Sequence, residues 1–171
     1  MPSFSSLKRR LRTSFLVSIG LFSSLFVLAQ VNLTYRLLTG YALSTDAPVA
    51  KGKPTLFVFE QSDTFSQVFQ LTGSGSSRKR DAPNFDKEMG IGIVLPSTKK
   101  PPKLSVSRLF VQDSTLTVRY IRVADTTLTN APLPESVNPV LLVMIPKQTV
   151  LKTKLVENGK VVQTITKRGD Q

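Results

Sequence analysis

The stretch Pro139-Val140-Leu141-Leu142-Val143-Met144-Ile145-Pro146 decides how this chain is read. Six consecutive apolar residues lie between two prolines, too few for a useful helix and with no polar residue to mark a solvent face. A strand half in water alternates apolar and polar side chains, whereas a strand covered on both faces does not. The run therefore predicts a doubly covered central strand, although periodicity alone leaves a buried helical turn open. If it is central, its neighbours must supply pairing partners and cover.

The segments around it do so. Downstream, Thr149–Glu157 and Lys160–Ile165 flank Asn158-Gly159, the pair a two-residue type I′ turn requires because both positions need positive φ. Upstream, Met89, Ile91, Ile93 and Leu95 share one face at period two, and Gly90 and Gly92 leave the other face bare. Glycines inside a strand mark a bulge or the close approach of another element, with a shallow groove as the alternative. Thr55-Leu56-Phe57-Val58-Phe59-Glu60 is rich in aromatic and β-branched residues and predicts the first core strand. Ser62 then caps a short helix with Phe65, Val68 and Phe69 on its apolar side, ending near Thr72-Gly73. Leu104–Ser107 starts another strand, and Asp113-Ser114 turns into Thr115–Val123. There Leu116, Val118 and Tyr120 face one way while Ile121 and Val123 take the opposite parity, which predicts a bulge or a change of buried face. Val31–Leu38 alternates as an edge strand would. The fold class expected is mainly β or α+β: an antiparallel sheet or sandwich of about six or seven strands, with one short helix after the first core strand.

The ends and the composition narrow the setting. Lys8, Arg9, Arg10 and Arg12 precede an apolar run from Ser14 to Leu28, and Val27-Leu28-Ala29 suits a signal peptidase. Residues 1–29 are read as a cleaved signal peptide, because a membrane anchor needs about 20 apolar residues and this run is shorter and broken by serines. Residues 30–53 are read as an N-terminal strand and linker, 54–167 as a single β-rich domain, and 168–171 as a tail. The expected location is periplasmic or secreted, with an uncleaved anchor as the alternative. The chain carries a formal charge of +12, and removing the four basic residues before residue 30 leaves 19 basic against 11 acidic, a net of +8.

The chemistry on offer is restricted. The sequence has no Cys, no His and no Trp. Thiol nucleophiles, disulfides, zinc–thiolate sites and imidazole bases are excluded. Gly73-Ser74-Gly75-Ser76-Ser77-Arg78-Lys79-Arg80 lacks the spacing of a phosphate-binding loop and reads as a flexible, basic loop. Asp81, Asp86 and Glu88 form the tight acidic cluster, beside Arg80 and Lys87, and read as turn and ion-pair residues. No cofactor, metal or nucleic acid is expected, and a membrane only in passing through the signal peptide. Candidate partner-binding residues are Lys99, Lys100 and Lys103 in a proline-stiffened turn, and Arg119 and Arg122 at a strand's solvent edge. The loops at 97–103 and 125–138 are expected at one end of the sheet.

The order of these features resembles a known family. A strand and short helix with Phe65 and Phe69 precede Pro83-Asn84-Phe85-Asp86-Lys87-Glu88-Met89. Leu116-Thr117-Val118-Arg119-Tyr120, the Pro139–Pro146 run and Glu157-Asn158-Gly159-Lys160 follow. This is similar to the C-terminal domain of the protease complex subunit PrcB family, over residues 55–166. The family's Gly-Gly-Tyr signature gives way here to Lys100-Pro101-Pro102-Lys103-Leu104. The resemblance implies an exported bacterial domain that accompanies a protease, with no catalytic residues to assign. The function expected is non-catalytic binding of another protein, with a protease as the implied partner. The alternatives are a basic module for the envelope surface or an acidic polysaccharide, and, more remotely, a hydrolase using Ser and Lys or paired carboxylates.

Overall fold

The computed structural model describes residues 30–72 and 82–167. In chain order these form β1 (Val31–Asn32), β2 (Arg36–Leu37), β3 (Tyr41–Leu43), β4 (Thr55–Phe59), α1 (Ser62–Val68) and β5 (Phe69–Leu71). Then follow β6 (Glu88–Val94), β7 (Lys103–Gln112), β8 (Thr115–Val123), the one-turn α2 (Thr127–Asn130), β9 (Val140–Pro146), β10 (Lys152–Glu157) and β11 (Lys160–Thr166). The expected signal peptide, the Gly73–Arg80 loop and the tail from residue 168 lie outside the described residues.

The strands assemble into a three-layer, mainly β fold. A five-stranded sheet runs β1-β7-β8-β10-β11, a four-stranded sheet β2-β9-β6-β4, and a small pair β3-β5. One face of the four-stranded sheet supplies Leu56, Met89, Ile91, Ile93, Leu141, Val143 and Ile145 to a core shared with Leu109, Leu116, Val118, Tyr120 and Leu155 of the five-stranded sheet. Its other face carries Phe59, Val94, Leu142 and Met144 against Leu38, Phe65, Val68 and Phe69 of the third layer. β9 is therefore an inner strand of the middle layer, and Leu141 through Ile145 are all buried. Each such side chain contributes about 1.5–3 kcal/mol on leaving water, which is why its sequence never alternates.

The glycine at position 92 of β6 is explained by the third layer. A Cβ on Gly92 would lie 2.9 Å from the Phe69 ring and 3.2 Å from Leu142, so the ring occupies the space that a side chain would take. Phe69 in turn meets Phe57, Phe59 and Phe65 at centroid distances of 5.6–6.1 Å, mostly edge to face. The helix differs from expectation at both ends. Gln61 is the N-cap residue, no side chain caps the helix, and Ser62 is its first helical residue. The helix also stops at Val68 instead of near Thr72-Gly73, because Phe69–Leu71 extends and pairs with Tyr41–Leu43 as β5. That pairing partner lies outside any local i, i+4 pattern.

Three features of the connectivity shape the surface. Val31–Leu37 joins both sheets in a few residues: β1 pairs with β7, and β2 with β9. Leu33 N–H donates to Leu109 O at 2.9 Å and Leu38 N–H to Leu142 O at 3.0 Å, so the crossing is hydrogen-bonded on either side. Second, β10 lies parallel to β8, the one parallel pair among the described residues, because β9 crosses into the other sheet between them. Third, the irregularity expected in β8 falls instead on its neighbour, with a register shift in β7 between Val106 and Arg108. Ile121 and Val123 find no buried face and are exposed. Both tight turns carry positive φ, at Asn158 and Gly159 as expected and at Asp113 and Ser114 without a glycine.

Candidate functional site

The two free edges that face each other across the layers are β4 and β11. β4 pairs only with β6, and β11 only with β10. They are linked where Leu56 N–H donates to Gln163 Oε1 at 2.8 Å. Because strand groups alternate in direction, the outward N–H of Leu56 sets the same direction for Val58 two residues on. The N–H and C=O of Val58 thus face away from β6 toward the seam, and Val58 is among the residues lining a cavity of about 300 Å³ there. Val58, Val150, Leu151 and Ile165 give it apolar walls, with Thr64 and Thr153 among the polar lining. Lys167 closes the rim, its Nζ 2.9 Å from both carboxylate oxygens of Glu60. Leu151 is 61% exposed although its neighbour Val150 is core. Its N–H is held by Ser114 O at 2.8 Å, which fixes this apolar residue in water.

The arrangement is a slot with greasy walls, a short unpaired strand edge and an ion pair at the mouth. Such a slot receives an extended peptide: main-chain groups pair with the edge while one side chain enters the cavity. Its parts come from residues 58–64, 150–153 and 165–167, three segments with no common motif. The one local signal was Leu151, an apolar residue directly before the polar start of β10.

The residues singled out by sequence divide into two groups. Lys99, Lys100, Lys103 and Arg122 gather at the end of the molecule opposite the slot. There the two long loops meet: Thr98 and Val137 exchange backbone hydrogen bonds at 2.9 and 3.0 Å, and Leu133 N–H donates to Lys99 O at 2.9 Å. Lys103 lies 3.5 Å from Asp125, whose carboxyl is held below its usual range by the Thr127 hydroxyl and N–H and, less, by Lys103. Arg122 lies 3.6 Å from Glu157, and its backbone is clasped by Asn158 of the hairpin turn. Arg119 stands apart, on the outer face of the five-stranded sheet. It shares that face with Phe110, above whose ring its guanidinium lies at 5.6 Å.

The acidic groups are committed to structural partners. Glu88 receives Arg36 through Nε at 2.9 Å and Nη2 at 2.7 Å. That bidentate contact, assisted by Asn84 N–H, holds its pKa below the usual value against the opposing effect of burial. At Asp86 it is the backbone that is engaged, its N–H donating to Asn84 Oδ1 at 3.2 Å so that Asn84 caps the turn, while Asp81 lies outside the described residues. Tyr120 donates its hydroxyl to Glu157, and burial followed by that carboxylate pushes the phenol far above its ordinary range. Among the described residues no group of His, Cys, Asp or Glu is placed to hold a metal ion, and no helix is long and apolar enough to cross a membrane. Comparison with known proteins found no matching family model, no matching curated protein and no matching solved structure.

Proposed function

We propose that this chain is an exported, non-catalytic binding domain whose seam between β4 and β11 takes an extended segment of a partner protein. The observation that carries this reading is the slot itself: the unpaired β4 edge at Val58 runs beside a cavity of about 300 Å³ with Val150, Leu151 and Ile165 in its walls. Export rests on the basic and apolar pattern of the first 29 residues. The similarity of residues 55–166 to the PrcB family points to a protease or its complex as the partner. The lack of thiol and imidazole chemistry favours binding over catalysis. The loop end with Lys99, Lys100, Lys103 and Arg122 then serves as a second contact surface.

The test is selection of random extended peptides on the immobilised protein, followed by backbone chemical-shift mapping of the winners. Shifts concentrated at Val58, Thr64, Leu151 and Ile165, with binding lost in Leu151→Asp, are the expected result. Peptides that map to the 97–103 and 125–138 loops instead transfer the function to that end. A failure to enrich any sequence counts against peptide capture altogether.

A further inference from the structure

The outer face of the five-stranded sheet carries a charge pattern that the seam does not explain. Residues 108, 110, 117, 119, 152 and 154 alternate with the core positions Leu109, Leu116, Val118 and Leu155, so they share the solvent side. Four are cations: Arg108, Arg119, Lys152 and Lys154. Register pairing places no Asp or Glu on this side of β7, β8, β10 or β11 between them. Of the acids nearest in sequence, Glu157 is engaged by Tyr120 and Arg122 and Asp125 by Lys103, while Asp113 sits in the turn beyond the ends of β7 and β8 and not on this face. Arg108 and Arg119 are direct cross-strand partners, an arrangement that like charges avoid. Both guanidiniums lie over the Phe110 ring, at 5.2 and 5.6 Å, and Asn32 Oδ1 accepts from Arg108 Nε at 2.9 Å. The ring and the amide offset the repulsion without neutralising the charge.

The same face continues toward the loop end in exposed aliphatic residues. Ile121, Val123 and Val161 are 40%, 54% and 61% exposed. Acid-free cations next to bare β-branched residues match the anionic, partly apolar boundary of a bilayer. A single-stranded nucleic acid would call for exposed aromatic stacking surfaces, whereas Phe110 is already capped by two arginines; an acidic sugar polymer would leave the bare Ile121, Val123 and Val161 unused. We propose that this sheet face docks on an anionic phospholipid surface, with Arg108, Arg119, Lys152 and Lys154 at the headgroups and Ile121, Val123 and Val161 at the interface. Docking in this way leaves the β4–β11 seam on a different side of the protein and does not depend on it.

The test is flotation of the full chain with vesicles of phosphatidylcholine containing phosphatidylglycerol, against phosphatidylcholine alone. Binding is expected only to the anionic vesicles and is lost as salt rises from about 0.1 M to about 1 M, where screening shortens from ~10 to ~3 Å. Lys152→Glu with Lys154→Glu is expected to lower vesicle affinity at least about tenfold. The charge-matched control Lys51→Glu with Lys53→Glu, at exposed positions away from this face, leaves it unchanged. Each variant is also floated without residues 1–29, whose basic and apolar side chains would bind anionic vesicles in every full-length variant. Ile121→Ser with Val161→Ser should weaken binding while preserving its salt dependence. Thermal melts establish that each variant is folded, and Lys152→Gln with Lys154→Gln replaces any that is not. Equal flotation of the Lys152/Lys154 variant and the parent protein overturns the proposal. So does retention on dextran sulfate without flotation, which assigns the face to a soluble polyanion.

Discussion

The two long sides of this sandwich are closed in opposite ways. On one side a single covalent segment, Val31–Leu37, is stitched into both sheets, and Leu38 behind it is buried with Phe65 and Phe69. Arg36 and Glu88 lock that side through a bidentate pair. On the other side β4 and β11 are joined by one side-chain hydrogen bond from Leu56 to Gln163, with an exposed lysine–glutamate pair beyond it. Two sheets need only one covalent closure to share a core. The side left to side chains is where a cavity persists and where a strand edge remains available, so the looser seam is the natural place for a ligand.

This contrast can be broken by mutation, and the closed side should show the largest effects. Leu38→Ala removes a buried side chain from the crossing and should cost about 3 kcal/mol in denaturant unfolding. Arg36→Met strands the Glu88 carboxylate and should cost about 2 kcal/mol at neutral pH. Its pH signature is distinct. Because the folded pKa of Glu88 lies below the ordinary glutamate value of 4.5, the pair's contribution is present above that value and is lost as pH falls through the folded pKa. Unfolding curves of the parent should therefore fall off in that acidic window, and those of Arg36→Met should do so less.

At the open seam the effects shrink. Gln163→Ala leaves the buried Leu56 N–H without its acceptor and should cost about 1 kcal/mol. Amide exchange at Leu56 should speed up relative to Ile91 in this variant, a measurement that tests whether the seam opens locally. Lys167→Ala removes a solvent-screened ion pair and should change stability by less than about 0.5 kcal/mol. Should Gln163→Ala prove as costly as Leu38→Ala, the two sides are equally closed and the distinction fails.

How much of this was readable beforehand varies element by element. Val140–Ile145 was legible because burial on both faces of β9 erases alternation, and Asn158-Gly159 because its backbone geometry selects those residues. The contact made by Gly92 was anticipated in kind, though its filler, the Phe69 ring, lies across a different layer. The end of the helix was misplaced because the pull on Phe69–Leu71 comes from Tyr41–Leu43, which no local period encodes. Val31–Leu38 alternates in one register, and nothing in that alternation says that its halves serve different sheets. The loops at 97–103 and 125–138 were expected at one end of the sheet, but that Thr98 and Val137 join them by backbone hydrogen bonds was not readable from the sequence. The seam was not, because its apolar walls come from strand ends that look like ordinary core. The cationic face was hidden for a related reason: Lys152 and Lys154 lie beside Thr115 and Thr117, on the same face as Arg119, only because β10 lies parallel to β8.

That parallel pairing also bears on when the protein can exist. A chain made from its N-terminus presents β8 long before β10, and β9 must settle in the other sheet before β10 can return beside β8. Until residues 152–166 arrive, β8 has one open edge and Leu116 and Val118 lack Leu155 as cover. The β10–β11 hairpin is thus the part of the five-stranded sheet that covers this edge and this patch of core.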